Sequence, residues 1–133
     1  MSFIVDEKDW YIRQIRTIIQ VMFQAVFHTE FVPFRPSVEL PEPVEEPYTP
    51  DSLYCALKSL LAHGDICSAE NLLFNYLDPT EPRYLHVALD FYACLSEYDP
   101  SLLAACNFSL GEVQQGLQDA IAVYGLSSDS FSK

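Results

Sequence analysis

The chain has 133 residues, half of them hydrophobic, 14% aromatic and 20% charged. That is enough for one domain with its own core, because chains of this size bury about two-thirds of their unfolded surface. Seven Lys and Arg stand against nineteen Asp and Glu, a net charge of -12, which excludes the basic footprint that nucleic-acid binding needs. No apolar run approaches the roughly 18 residues of a membrane span. Asp6, Glu7 and Asp9 spoil a signal-peptide n-region, so the chain is expected to be cytoplasmic. Residues 1–29 are balanced in charge, and the acidic excess lies from Glu30 onward. It favours solubility and repels phosphates and anionic lipid, without choosing a fold.

A first helix is expected from about Asp9, its N-cap, to Phe27. Arg13, Thr17, Gln20 and Gln24 draw one polar stripe along it, and almost everything else is apolar. A surface helix has a narrower apolar face. Such a helix is sheltered either inside its own fold or by a second chain. The surface assigned to pairing is Trp10, Ile12, Ile15, Ile19, Met22, Phe23 and Val26. Residues 30–50 then carry six prolines beside Glu39, Glu42, Glu45 and Glu46, which excludes helix interior and central strand and leaves an extended acidic linker. Phe31, Val32 and Phe34 would let some of it lie along a surface.

Helical signals return at Thr49, a cap followed by Pro50 at the first helical position. Leu53, Leu57, Leu60 and Leu61 form one face, and Gly64 ends the helix. A second helix with Ile66, Ala69, Leu72, Leu73, Tyr76 and Leu77 stops at Asp78-Pro79, and the short connection predicts an antiparallel hairpin. A third runs from about Arg83 to Tyr98, and a short turn of helix follows Asp99-Pro100. A last one opens on the capping box Ser109-x-x-Glu112 and closes at Gly125. The chain reads as all-α: an N-terminal oligomerisation helix over 1–29, an acidic linker over 30–50, a helical domain over 51–126 and a disordered tail over 127–133.

Cys55, Cys67, Cys94 and Cys106 are dispersed within apolar helical patterns and, in a cytosolic setting, are expected to be reduced core residues. The strongest chemical constellation is His86, Asp90 and Cys94 at i, i+4 and i+8, a spacing that sets a His–carboxylate pair beside a thiol for nucleophilic or metal chemistry. Arg83, His86, Asp90 and Glu97 also trace an ordinary solvated stripe. His63, Asp65 and Cys67 bracket Gly64, but a His in a last helical turn is explained by the dipole, and His28 takes the same reading. Glu45-Glu46 sits on a connector too loose for catalysis. No phosphate-loop, dinucleotide, nucleophile-elbow or zincin motif occurs. No cofactor, metal or catalytic residue is assigned.

The segment Leu53–Pro79 resembles a tetratricopeptide-type hairpin. Small and large apolar residues (Leu53, Ala56, Leu57, Leu60) face a Gly-x-aliphatic-x-x-Ala start at Gly64, Ile66 and Ala69, and Leu stands where that pattern has its aromatic positions. Over its whole length the chain is similar to an uncharacterised bacterial family of short helical proteins. The likeness rests on Asp9, Trp10, Tyr11, Ile12, Arg13 and Ile15, on Gly64, Asp65, Ala69, Glu70, Asn71 and Leu73, and on Asn107, Phe108, Ser109, Glu112, Val113, Gly116 and Leu117. It implies a fold without an established activity. The functional expectation is a non-catalytic protein-interaction module whose partner is itself, as a homodimer, or an unidentified protein, with nucleic acid excluded and membrane disfavoured. The rivals are a small-molecule or catalytic domain centred on His86, Asp90 and Cys94, and an acidic inhibitor presenting residues 39–46 to a basic partner.

Overall fold

The computed structural model describes residues 7–36 and 46–126. Among them the regular structure is wholly helical: α1 Glu7–Phe27, α2 Pro50–Ala62, α3 Ile66–Tyr76, α4 Pro82–Ser96, α5 Pro100–Ala105 and α6 Leu110–Val123. Local chemistry sets most of these boundaries. At α2 the Thr49 side chain accepts from the Ser52 N–H at 3.2 Å while Ser52 Oγ accepts from the Thr49 N–H at 2.8 Å, a complete reciprocal box. Ser109 forms only half of its expected box. Its Oγ accepts from the Glu112 N–H at 3.2 Å, but the Glu112 carboxylate takes the Ser109 hydroxyl at 3.3 Å instead of the backbone. Asp65, Glu81 and Asp99 cap α3, α4 and α5. Because α1 already begins at Glu7, Asp9 lies inside its first turn and is not the cap.

Gly64 ends α2 at φ +75°, with Gly64 N–H on the Leu61 carbonyl and Asp65 N–H on the Leu60 carbonyl. That left-handed stop is cheap only for glycine. It sends the chain into α3 after three residues, and α2 and α3 pack against each other. The acidic strip at 39–46 lies outside the described residues except for the exposed Glu46, and so does the tail at 127–133.

The helix at the centre is α4, which packs against α1, α2 and α6. Six consecutive residues, Val87 to Tyr92, are buried on it. α1 lies on α4 and α6 and turns Ile15, Ile18, Ile19, Met22 and Phe23 into the same core as Leu73, Leu89 and Leu117. This corrects the expected pairing surface. Ile15, Ile19, Met22 and Phe23 are buried by their own chain, at about 1.5–3 kcal/mol of favourable burial each. Trp10 is exposed, and Ile12 and Val26 are half-buried. α1 thus shares one hydrophobic core with the helices that follow residue 49. Cys67 is exposed, contrary to the core expectation, and Cys55, Cys94 and Cys106 are half-buried. No helix among the described residues is long and apolar enough to cross a membrane.

Candidate functional site

Eight residues take His86 to Cys94 through about two turns, so His86, Asp90 and Cys94 share one face of α4. That face is not solvated as its stripe of polar residues predicts, because the chain leaving α1 lies across it. His28 adopts φ +62° at the helix end. The Phe31 N–H then donates to Gln20 Oε1 at 2.7 Å, and the Val32 carbonyl lies 2.7 Å from His86 Nε2. A carbonyl only accepts, so Nε2 carries the proton. Phe34 is buried, with its ring 5.2 Å from those of Tyr54 and His86 and 5.1 Å from the Arg83 guanidinium carbon. Its backbone N–H acts on the Asp90 carboxylate, favouring the ionised form. Arg83 is itself held by Asp51 at 2.6 Å, which ties the start of α4 to the start of α2.

Phe23, Phe27, Phe31 and Phe34 surround the His86 ring at centroid distances of 4.8, 5.4, 6.2 and 5.2 Å. Burial pulls the His86 pKa below its ordinary value, outweighing the help from the Val32 carbonyl and Asp90. Burial likewise pushes up Asp90, which is only 6% exposed, and the Cys94 thiol. Lys58 Nζ reaches Cys94 Sγ at 3.5 Å. The three predicted residues are thus brought to one face, but the hydrogen bonds of His86 and Cys94 go elsewhere, to Val32 and Lys58, while Asp90 feels the charges of Lys58 and His86. The cavity beside Lys58, Asp90 and Cys94 measures about 10 Å3, room for one water.

The residues around the first turn do not converge. His63 Nδ1 donates to the Ser59 carbonyl at 2.8 Å, Asp65 caps α3, and Cys67 is exposed. Among the described residues no group of three or more His, Cys, Asp and Glu is arranged to hold a metal ion.

Two surface features remain, one that went unassigned in the sequence and one that shares Trp10 with the expected pairing surface. The first is an open groove of about 500 Å3 between α3 and α6, where Glu70, Asn71 and Phe74 face Glu112, Gly116 and Asp119. At its floor the buried Tyr92 hydroxyl donates to Glu70 Oε2 at 2.7 Å. Burial, then the Glu112 and Asp119 charges, raise the Glu70 pKa against that hydrogen bond. A carboxyl whose folded pKa is raised favours the fold least when ionised, and the deficit disappears as pH falls through that raised value toward 4.5. Glu70→Gln keeps an acceptor for Tyr92 without the charge. It is expected to stabilise the protein near pH 7 by a few tenths to about 1 kcal/mol, given half-exposure and screening. The gain should shrink to nothing near pH 4, as urea titrations at both pH values will check; equal gains at both would reject the electrostatic account.

The second feature lies along the outer flank of α1. Eleven residues separate Trp10 from Val21, a phase difference of about 20° at 3.6 residues per turn, so the two share one face. Trp10 is 46% exposed. Val21, Gln24 and Ala25 line a shallow, largely apolar groove of about 380 Å3 that Gln20 and Glu30 border.

The profile of a family of unknown function (DUF6483) matches residues 5–125, and the chain belongs to that family. No curated protein and no solved structure matches the chain.

Proposed function

For this member of DUF6483 we propose a non-catalytic protein-interaction role, in which the chain pairs with a second copy of itself through the outer flank of α1. The reading rests on the exposure of Trp10 on the same face as Val21 and its apolar groove. A large aromatic at the helix start and a shallow apolar trough about three to four turns later suit a helix laid alongside. The polar stripe of Arg13, Gln20 and Gln24 borders this flank and would fix its register. We place the protein in the bacterial cytoplasm and read α2–α3 as a tetratricopeptide-like hairpin, on the sequence patterns at Ala56, Gly64 and Ala69.

Size-exclusion chromatography with light scattering at micromolar concentration tests the proposal. The wild type is expected to run as a dimer. The double variant Trp10→Glu/Val21→Glu should be a monomer with unchanged helical circular dichroism, since loss of a buried interface anchor costs about 2 kcal/mol or more. A wild-type monomer sinks the homodimer.

The rival reading, a ligand or catalytic site at His86, Asp90 and Cys94, draws on one observation: a carboxyl that is only 6% exposed on the same helix face as an ammonium–thiol pair. A metabolite and metal screen by thermal shift, in wild type and His86→Ala, decides it. A hit abolished by the substitution favours the rival; no hit, or a hit that survives in His86→Ala, counts against it.

A further inference from the structure

The segment after α1 is fastened across α4 by contacts that include a titratable side chain, His86. We propose that residues 31–36 form a strap that closes over α4 at neutral pH and is released in mild acid by protonation of His86. Three contacts hold it: Gln20 on the Phe31 N–H, His86 on the Val32 carbonyl, and Phe34 seated between Tyr54, His86 and Arg83. His86 is the one that changes charge between pH 7 and pH 5.

In the closed strap the imidazole is neutral, donating Nε2–H to Val32. A second proton enters at Nδ1 and puts a full charge on a half-buried ring packed among four phenyl rings. Opening the strap removes Phe31 and Phe34 from that cage and hydrates the imidazolium. The charged groups acting on His86 are both on α4: Arg83 opposes its protonation and Asp90 favours it. From α2, Tyr54 meets Phe34, and Lys58 acts on Asp90. From α1 come only the rings of Phe23 and Phe27, with the Gln20 amide engaged on the strap. Arg35 on the strap itself is exposed.

The sign follows from the two directions. With the closed-state pKa of His86 lowered, its contribution to closure is complete above the ordinary value of 6.5 and is lost as pH falls from there through the lowered value. Asp90 works oppositely. Its raised closed-state pKa means that protonation favours closure, progressively as pH falls toward 3.8. Release therefore belongs to mild acid and is opposed at lower pH. What release bares is the Tyr54 ring and the buried Asp90 carboxyl.

Amide hydrogen exchange of the full chain, corrected for intrinsic rates, tests the strap at pH 7.5 and pH 5.5. Protection of the Phe31 and Phe34 amides is expected to fall by up to about tenfold per pH unit, the limit for one linked proton, while α4 and α6 keep theirs. His86→Gln donates to Val32 without titrating and should flatten the response; Asp90→Asn should retain it. Unchanged wild-type protection, the same loss in His86→Gln, or its absence in Asp90→Asn overturns the proposal. If either variant does not fold, the wild-type NMR titration decides instead. The His86 ring and the Phe34 amide must share one inflection below 6.5, and separate inflections reject the strap.

Discussion

Ile19→Glu is expected to unfold the chain rather than to dissociate a dimer. Ile19 is buried on the inner face of α1 beside Ile15, Met22 and Phe23, and that face rests on α4 and α6 of the same molecule. The substitution removes about 1.5–3 kcal/mol of apolar burial and adds the cost of burying a carboxylate with no partner. The total of about 4 kcal/mol or more is a large share of the 5–15 kcal/mol that holds a domain together. Urea denaturation will show a collapsed midpoint or no transition at all. A variant that melts like wild type and differs only in oligomeric state would mean that α1 is covered by another chain.

The second large effect is expected at Gly116, on the α6 side of the α3–α6 groove. A Cβ built there would stand 2.6 Å from Tyr92 Oη and 2.8 Å from Tyr92 Cε1. The Glu70 carboxylate, which also crowds that position, can swing toward solvent, but the Tyr92 ring is buried and has nowhere to go. Gly116→Ala must therefore push α6 off α4 or force the ring from its rotamer, at a cost of about 1–3 kcal/mol. Tyr92→Phe removes the nearer of the two clashing Tyr92 atoms, so the double variant should lose less than the sum of the two single losses, a coupling that a double-mutant cycle measures directly. Strict additivity would locate the cost of Gly116→Ala somewhere other than this contact.

The helices were legible because their punctuation is local: Thr49-Pro50, Gly64, Asp99-Pro100, Ser109 and Gly125 each act within a few residues of themselves. The burial of each face was less so. From its single polar stripe α1 is the helix expected to need the most cover, yet α4 holds the centre, with His86 and Asp90 drawn under cover by a segment some fifty residues away in sequence. A stripe of polar side chains reads as solvated until something long-range closes over it. Phe31 and Phe34 carried the hint, as aromatic residues in a proline-rich stretch with no helix of their own to serve. The α3–α6 groove was hidden for a related reason. Glu70, Asn71, Glu112 and Gly116 stood out only as family-like pattern, and nothing in their spacing says that two distant stretches meet over the Tyr92 hydroxyl.

The seat of α1 includes α6, the last of the described helices. On the ribosome, α1 is made long before α6, and residues 28–123 must follow before its inner face has both of its neighbours. At about 5–20 residues per second this leaves a row of isoleucines and a phenylalanine uncovered for roughly 5 to 20 s. For that interval the nascent chain offers chaperones an oily helix that the finished protein hides.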